Sequence, residues 1–489
     1  MQKPYSNPSD WIGLSLIWKP RITKYSIPLG KFSHAMIRLF FFYCTTMFLL
    51  ACNMEGKELA VINSPQLSFT DPEFYLSLPR QKSFFQKIDK PGIGTSGSVI
   101  QLFPDQKFQS MDGFGFTLTG GSAQVIHRLE PIKKAALLQE LFGKNGISVL
   151  RISVGASDLD SSVFSYEDVE GKFSLEKSKA DLIPVLQQIL AINPSIKIMA
   201  SPWSPPAWMK DNLYSKGGSL MEKYYDSYAN YLATYIQAMA KEGIPIWALT
   251  PQNEPLNPGN NPSMYMTSKM QANFIKTALG PVFQKQNIQT KIIVFDHNCN
   301  HPEYAIDLLN DPEVRKYVNG SAFHLYEGEI SALSKVKAAH PDKEVYFTEQ
   351  WTGARGDFTG DFMWHVKNVV LGAVNNHAKT AIEWNLASDP SYGPHTPGGC
   401  TECLGALTID GQGITRNQSY YIVMQAARFV PAGSVRIGIS VPQGIQAAAF
   451  QRPDGKLVIL IQNEGAKKDV SLDRLNFELA AESVIAVVL

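Results

Sequence analysis

Short apolar runs alternate with amphipathic segments along most of the chain. The runs end abruptly at polar residues, glycine or proline, as in Ser148–Val154 (SVLRISV) and Ile196–Ala200. Such runs are typical of buried parallel strands. The segments between them, such as Asp181–Ala191 and Ser219–Lys241, have helical periodicity. The predicted strands begin at Phe114 and continue as Ser148–Val154, Ile196–Ala200, the run that ends at Glu254, Lys291–Phe295, Ser321–Leu325, Glu344–Thr348 and Ala378–Asn385.

Eight strands that alternate with helices over roughly 270 residues predict a (β/α)8 barrel. An open doubly wound sheet is the alternative, but no glycine-rich dinucleotide loop follows the first strand. From about Gly411 the pattern changes to short β-like runs separated by Gly, Pro and Asp-Gly. These runs predict a β-sandwich appended to the barrel, and Gly97–Phe103 before the barrel is expected to join it.

The predicted domains follow from these changes in pattern. Residues 91–110 are expected to form one or more strands of the sandwich, residues 111–410 the catalytic barrel and residues 411–489 the rest of the sandwich. Residues 52–90 are interpreted as a tether that leads into the fold.

The N-terminal region has the pattern of an export signal. A short basic start, Met36-Ile37-Arg38, precedes an apolar segment and Cys52. Leu49-Leu50-Ala51-Cys52 resembles the bacterial lipobox, in which the cysteine is lipidated and becomes the first residue. We therefore expect translation from Met36, a lipoprotein signal peptide at residues 36–51, and residues 1–35 absent from the native protein. The protein is predicted to be exported and held at the membrane of a bacterial cell envelope by its lipid anchor. A single membrane anchor is the alternative, although the apolar segment is short for a bilayer span.

Charge and cysteine content exclude several classes of function. The 45 basic and 44 acidic side chains leave a formal net charge of +1, which gives no reason to expect a nucleic acid partner. The five cysteines do not form a disulfide framework. Cys400-Thr401-Glu402-Cys403 is a CxxC with no second CxxC and no nearby histidine pair, so zinc is a poor interpretation. A local disulfide or two plain thiols remain.

Two carboxylates follow apolar strands directly. Glu254 lies near the end of Ala248–Pro255 (ALTPQNEP), and Glu349 lies in Glu344–Trp351 (EVYFTEQW). Barrel enzymes place catalytic groups just past the strand ends. Two glutamates in this setting, each near aromatic side chains, predict paired-carboxylate chemistry on a glycosidic bond. The alternative for either glutamate is a salt-bridged residue at the rim.

These motifs resemble glycoside hydrolase family 30, the glucosylceramidase-like retaining β-glycosidases. The resemblance runs from about Asp112 to Leu489. It implies a (β/α)8 barrel with a β-sandwich and hydrolysis of β-glucosides by double displacement, without a metal or organic cofactor. The motifs that carry it are Asp112–Gly115, Leu150–Ser153, Ser201–Lys210, Pro251–Pro255, Phe323–Tyr326, Phe347–Glu349 and Glu383–Asn385.

The resemblance also implies roles for the two glutamates. Position by position, Glu254 is the acid/base and Glu349 the nucleophile. A retaining enzyme needs the two carboxyl groups only about 5–5.5 Å apart. One attacks the anomeric carbon in its ionised form, and the other must keep a proton at working pH.

Further residues are expected to bind or orient the substrate. Asn253 resembles the residue that holds the sugar 2-OH. Asp158, with Asp160 as its rival, resembles the acidic contact to other glucose hydroxyls. Trp203 and Trp384 resemble the aromatic lining of the glycone pocket, although core packing is the more common fate of a single Trp.

Polar residues at other strand ends complete the predicted site. Arg151 is charged within an apolar strand and needs a partner; Glu349 is the expected one, in a structural ion pair or in support of catalysis. His324 and Tyr326 are expected to orient Glu349, and His324 is an improbable metal ligand. His297 and Asn298 are expected near the aglycone. Asp389, His395 and the CxxC loop are expected in the pocket wall.

The resemblance implies a β-glucosidase, and the named activity nearest to it is glucosylceramidase. An endo-β-1,6-glucanase is the alternative within the same chemistry, so the substrate is a glycolipid or a glucan. A non-catalytic carbohydrate-binding surface lipoprotein is the alternative of another class, but the presence of both glutamates argues against it.

Overall fold

The structure, a computed structural model, describes residues 71–89, 91–92, 97–143, 146–473 and 475–489. Residues 1–35, the predicted signal peptide at 36–51 and the predicted lipidation site Cys52 lie outside the described residues. Within the described ranges, no helix is both long enough and apolar enough to traverse a bilayer.

The first described residues form strands of the sandwich. β1 (Glu73–Leu78) and β2 (Ser83–Ile88) are antiparallel and are joined by a short 3-10 turn at Pro79–Gln81. Phe74 is buried and its ring lies 5.5 Å from that of Phe477. The prediction of a tether at residues 52–90 is therefore wrong for these two strands, because apolar side chains in each of them have a sheet face to pack against.

β3 (Ser98–Ser110) connects the sandwich to the barrel. Its first residues pair in parallel with β20 (Lys468–Leu472), and the rest pairs antiparallel with β17 (Val435–Ser440). The prediction that a segment before the barrel joins the sandwich is confirmed.

Within the described residues, eight parallel strands close the predicted barrel. They alternate with helices, as the spacing of apolar runs requires. Their bounds are β4 (Gly113–Thr117), β5 (Val149–Ser153), β6 (Lys197–Ser201), β7 (Ala248–Leu249), β8 (Lys291–Asn298), β9 (Val318–His324), β10 (Glu344–Glu349) and, after the short β11 (Thr352–Gly353), β12 (Ala378–Asn385).

Helices follow the barrel strands on the outside. Two of them continue through π-helical turns at Ile275–Leu279 and Val366–Leu371. The helices are α1 (Gly120–His127), α2 (Pro131–Phe142), α3 (Leu182–Ile192), α4 (Tyr225–Lys241), α5 (Ser268–Phe274), α6 (Gly280–Lys285), α7 (Pro302–Asn310), α8 (Pro312–Arg315), α9 (Ala332–Ala339), α10 (Phe358–His365), α11 (Gly372–Asn375) and α12 (Gln418–Ala427).

α12 corrects the predicted boundary of the sandwich at residue 411. It packs against α10 and β4 of the barrel, and the ring of Tyr421 stacks on Phe84 with the centroids 3.9 Å apart. Aromatic and apolar side chains on several sides of this helix are buried. That distribution hides the helical period, which explains why the segment did not stand out from the β-like runs beside it.

The barrel strands bury both faces. In β6, Ile198 and Ala200 join the large core that the helices share, whereas Met199 lies in a separate cluster that includes Ile293 and Tyr346. Period-two alternation explains this division, since successive side chains point to opposite faces of a strand. The apolar cluster containing Met199 occupies the barrel interior.

β8 departs from this alternation at its C-terminal end. Phe295 and Asp296 have positive φ angles of 74° and 63°, and the pairing with β9 shifts register between Phe295 and His297. Phe295 consequently packs in the outer core, with its ring 4.8 Å from Tyr304. Asp296 enters the barrel instead, which a strictly alternating strand would not allow.

The remaining strands complete the loop region after β12 and the sandwich. Near the barrel mouth lie β13 (Ala387–Ser388), β14 (Cys403–Leu404), β15 (Leu407–Asp410) and β16 (Gly413–Arg416). The sandwich adds β17 and β20, described above, and β18 (Ile445–Gln451), β19 (Leu457–Asn463), β21 (Leu475–Leu479) and β22 (Ser483–Val488). The strand order in the sandwich is β2-β1-β22-β19-β18-β17-β3-β20-β21. The interior of the sandwich is an apolar core that includes Ile100, Ile437 and Phe477.

Candidate active site

Glu254 and Glu349 meet at the C-terminal end of the barrel. Glu349 is the last residue of β10, and Glu254 follows β7 in a left-handed conformation with φ of 45°. One carboxylate oxygen of each lies within 4.8 Å of the other. Positive φ is uncommon for a residue with a side chain and is found where function fixes the backbone. The spacing suits a glycosidase that forms a covalent intermediate.

Arg151 and Tyr326 hold Glu349 from two sides. Arg151 Nη1 donates to Glu349 Oε2 at 2.6 Å, and the Tyr326 hydroxyl donates to Glu349 Oε1 at 2.9 Å. The guanidinium is fully buried and lies 4.8 Å from the ring of Trp203. The predicted pairing of Arg151 with Glu349 is confirmed. The contact both fixes the carboxylate and favours its charged form.

Asp296 is the residue that joins these groups, and it was not among the predicted site residues. Its Oδ2 accepts from Arg151 Nη2 at 2.8 Å, and its Oδ1 accepts from His324 Nε2 at 3.1 Å. Three hydroxyls also donate to it, those of Ser201, Thr250 and Thr348. Arg151, the first source of attraction, and His324 keep its pKa far below the usual range despite complete burial. Asp296 ends an apolar run just as Glu254 and Glu349 do, and that signal was present in the sequence.

His324 lies between the two glutamates. Its Nδ1 is 3.2 Å from Glu254 Oε1 and 3.8 Å from Glu349 Oε1. The hydrogen bond of His324 is thus with Glu254, and its contact with Glu349 is a longer ion pair. That His324 orients Glu349 stays a prediction. Asn257, which was not among the predicted site residues, donates from Nδ2 to Glu254 Oε2 at 2.7 Å.

The charges of this cluster determine where its protons reside. Burial opposes charge on His324, but the surrounding carboxylates, Glu349 first among them, raise its pKa to about 9. Burial also opposes charge on Glu254, yet the hydrogen bond from His324 lowers the pKa of Glu254 to about 2. Burial raises the pKa of Glu349, although His324 and Arg151 act against it. At neutral pH the free protein therefore carries a proton on His324, and Glu254 is ionised.

Asn253 lies beside these charges. Its Oδ1 accepts from Arg151 Nη2 at 2.5 Å, and its backbone N–H donates to Pro202 O at 2.8 Å. With the amide oxygen held in this way, the Nδ2 group is the atom that can donate to a sugar hydroxyl. The geometry suits the predicted contact with the sugar 2-OH.

Asp158, Trp203 and Trp384 form a wall beside the glutamates. The two indole rings lie 5.3 Å apart, and both side chains are buried. Burial and the neighbouring charge of Glu349 raise the pKa of Asp158 to about 7. The Cys400–Cys403 disulfide packs in the same cluster as the indole rings. Of the two states expected for this CxxC, a local disulfide or two plain thiols, the structure has the disulfide.

The other predicted residues lie at varying distances from the chemistry. Asp160 accepts hydrogen bonds from the backbone and hydroxyl of Ser157, so it shapes its own loop. His297 is buried and accepts from Leu256 N at 3.4 Å, and Asn298 accepts from Tyr326 N. Two further residues contact the loop after β12: Asp389 accepts from Ser391 N and Gly393 N, and His395 Nδ1 lies 3.1 Å from Thr396 O.

Glu254, His324 and Glu349 also have the spacing of a three-ligand metal site. One ligand-type atom from each lies within 4.8 Å of the others. Arg151 and Tyr326 already engage Glu349, and Asp296 engages the second nitrogen of His324. We interpret the trio as a group that shares protons. That no metal or cofactor takes part stays a prediction.

Comparison with known proteins gives matches over both domains. Residues 111–410 match the model of the glycosyl hydrolase family 30 TIM-barrel domain, and residues 433–487 match that of the glycosyl hydrolase family 30 beta sandwich domain. The endo-1,6-beta-D-glucanase of Neurospora crassa is 30% identical over 449 residues, covering 84% of this chain and 92% of that protein. The lysosomal acid glucosylceramidase of Mus musculus is 29% identical over 412 residues, covering 77% and 79%.

A solved structure gives a similar result. The solved structure of an endo-beta1,6-glucanase matches this chain with a TM-score of 0.80 and a sequence identity of 36%. The match covers 86% of this chain and 99% of that one. The similarity therefore extends across the barrel, the strands before it and the sandwich.

Proposed function

Because this chain belongs to glycosyl hydrolase family 30, and is thus a glycosidase that hydrolyses glycosidic bonds, we propose that it cuts β-1,6-linked glucan internally. The observation that carries the proposal is the 36% identity to an endo-beta1,6-glucanase over 86% of the chain. The glucosylceramidase activity favoured by the motifs has a weaker basis, since the mouse enzyme is 29% identical over 77% of the chain. Of the two substrates, β-1,6-glucan therefore has the better support.

In the first step, a Glu349 oxygen attacks the anomeric carbon and forms a glycosyl ester. The bond from that carbon to the leaving oxygen breaks, and the leaving oxygen takes the electron pair and a proton from Glu254. In the second step, Glu254 removes a proton from water, whose oxygen attacks the anomeric carbon and releases the Glu349 carboxylate. Two inversions preserve the configuration, and the separation of the two carboxylates supports this route.

The proton that Glu254 must donate has a source beside it. In the free protein the pKa values are the reverse of those that these roles need, because the charge on His324 favours ionised Glu254. His324 Nδ1 lies 3.2 Å from Glu254 Oε1, so one transfer along this hydrogen bond protonates Glu254. The same transfer neutralises His324. Arg151 and Tyr326 still hold the ionised Glu349.

A substrate panel tests the proposal. Purified enzyme is incubated with β-1,6-glucan, β-1,3-glucan, glucosylceramide in detergent and an aryl β-glucoside, and product lengths are followed over time. We expect oligosaccharides of mixed length from β-1,6-glucan at early times, with the β-anomer formed first. Release of glucose alone, or a preference for glucosylceramide, would contradict the internal cutting of glucan. Binding of glucan without hydrolysis of any substrate would favour the non-catalytic lipoprotein.

We also propose export and lipid anchoring through Cys52. The support is the sequence pattern alone, a basic start, an apolar segment and Leu49-Leu50-Ala51-Cys52. Cells that express the full chain are grown with labelled palmitate, and the mature N-terminus is identified by mass spectrometry. Label on a mature protein that begins at Cys52, and its loss in Cys52→Ala, is the expected result. Recovery of residues 1–35 on the exported protein would contradict it.

A further inference from the structure

A loop after β13 packs against the wall that contains Trp203 and Trp384. We call residues 394–404 the disulfide turn, because Cys400 and Cys403 are bonded within it. Cys400 N–H donates to Asp158 Oδ2 at 3.4 Å, and Thr396 N–H donates to the backbone oxygen of Asp158 at 2.9 Å. Gly399 lies so close that a Cβ there would be 2.3 Å from the same backbone oxygen. One end of the turn is therefore packed tightly on Asp158.

The other end of the turn is fixed to the segment that follows the predicted nucleophile. β14 pairs antiparallel with β11, which begins three residues after Glu349, and Ala354 N–H donates to Glu402 O at 2.9 Å. Cys400 thus contacts Asp158, and Cys403 pairs with Gly353 on the segment that follows Glu349. The disulfide sets the spacing between them.

The position of the bond indicates a local role. A disulfide that closes a loop of only four residues removes little entropy from the unfolded chain compared with one that closes a long loop. Its sulfur atoms pack instead in the cluster that contains Trp203 and Trp384. Its effect is therefore expected in the pocket more than in the stability of the whole domain.

Asp158 has few other restraints on its carboxylate. Within the part of the chain that the structure describes, the Asp158 carboxylate accepts one hydrogen bond from another residue, and the donor is Cys400 N–H. Burial and the charges of Glu349 and Glu254 all disfavour its ionised form and raise its pKa to about 7. A buried carboxylate with so little local support depends on whatever holds its one neighbouring donor in place.

We propose that the Cys400–Cys403 disulfide is a positioning element for sugar recognition, because it holds the Cys400 N–H against Asp158 and so fixes the side of the pocket that grips the glycone. The proposal rests on the proposed function, in that Asp158 is taken to contact hydroxyls of the glucose unit before the cleaved bond. Oxidised and reduced enzyme are then expected to differ in how well they bind the sugar.

The test compares the loss caused by opening the disulfide in two backgrounds. The variants are Cys400→Ser with Cys403→Ser, Asp158→Ala, and all three together, each assayed for kcat and KM on an aryl β-glucoside and on β-1,6-glucan. We expect kcat/KM to fall roughly 3–10-fold when the disulfide is removed from the wild type, the size of one lost hydrogen bond. In the Asp158→Ala background the same change is expected to cost less than about twofold, because the group it positions is gone.

A matched control contacts the turn from outside it. Arg355 and Glu402 form an exposed ion pair at 2.6 Å on its outer side. Arg355→Gln removes this contact without opening the disulfide, and kcat/KM is expected to stay at the wild-type value. Thermal unfolding of each variant shows whether the fold is kept.

Reduction of the wild type provides a second route that does not depend on folding of the variants. Dithiothreitol gives two electrons and two protons to the disulfide and becomes its own cyclic disulfide. The expected result is a rise in KM that reoxidation reverses. Equal losses in the two backgrounds, or a reduced enzyme with unchanged KM, would overturn the inference. A wild type that hydrolyses neither substrate would instead contradict the proposed function.

Discussion

Two buried aspartates in the same pocket show how differently its floor and its wall are built. The floor consists of Arg151, Asp296 and His324 with the two glutamates, and the wall of Asp158, Trp203, Trp384 and the disulfide turn. Asp296 accepts five hydrogen bonds, and its pKa lies far below the usual range. Among the residues that the structure describes, Asp158 accepts one from another residue, and burial and the charge of Glu349 raise its pKa to about 7.

Under the proposed function, the difference separates groups assigned to the chemistry from a group assigned to recognition of the sugar. The floor meets its hydrogen-bonding needs before substrate arrives, so its charges are already oriented when the bond breaks. The wall leaves a carboxylate whose missing partners a sugar can supply. Changes in the floor are therefore expected to reduce turnover, and changes in the wall to weaken binding.

The largest expected effect is at Glu349. Glu349→Gln keeps the side-chain volume and removes the nucleophile, so kcat is expected to fall roughly 10⁵-fold or more. Initial rates on an aryl β-glucoside measure it, with Glu313→Gln, which removes an exposed ion pair with Lys316, as a control that keeps wild-type activity. Near-wild-type turnover by Glu349→Gln would contradict the assignment of the nucleophile.

Loss of the Asp296 charge is expected to destabilise the floor as a whole. Asp296→Asn leaves Arg151 and His324 without their shared anion, and removal of one partner of a buried pair costs about 3–5 kcal/mol of unfolding free energy. Because the folded pKa of Asp296 lies below its unfolded value, its contribution is complete above pH ~4 and is lost as the pH falls below that value. Denaturant unfolding at pH 7 and pH 3 measures this, and a gap between variant and wild type that does not narrow at pH 3 would refute it.

The proton on His324 predicts a pH profile. Its pKa of about 9 means that the proton Glu254 donates is lost as the pH rises through 9, so kcat/KM is expected to decline on that side. His324→Gln removes the reservoir, which moves the decline to lower pH and reduces activity roughly 100-fold at neutral pH. An alkaline limb unchanged in His324→Gln would show that another group supplies the proton.

The smallest expected effect concerns the wall. Asp158→Asn keeps hydrogen-bonding atoms but removes the charge, and KM on the aryl β-glucoside is expected to rise roughly tenfold, while kcat falls less. Trp384→Phe, in the same wall but without a carboxylate, serves as the comparison for loss of packing. A fall in kcat with no change in KM for Asp158→Asn would remove the distinction between floor and wall.

The barrel could be predicted because each strand is a short apolar run that ends at a polar residue. Glu254, Glu349 and Arg151 were found for the same reason, since charge at the edge of or inside such a run is conspicuous. Asp296 has that position too, yet period-two alternation directs it away from the interior. The left-handed φ angles at Phe295 and Asp296 turn the Asp296 side chain into the barrel interior instead. Neither residue type predicts such a φ angle.

Contacts between segments that are distant in sequence could not be predicted either. The hydrogen bond of His324 with Glu254, in place of Glu349, depends on differences of less than 1 Å, which strand spacing does not define. β1 and β2 could not be predicted because β1 pairs with β22, which comes after the whole barrel in sequence, and β2 pairs with β1. α12 was missed because it follows the β-like run of β15 and β16 and is buried on several sides.

The pairing of β1 with β22 has a consequence for how the molecule is made. A ribosome delivers the chain from its N-terminus, so β1 emerges long before the strand that covers its open edge. Until then an unpaired edge with apolar neighbours is exposed to other nascent chains. The barrel can close during this interval, but the sheet that begins with β1 must wait for the last segment to be translated.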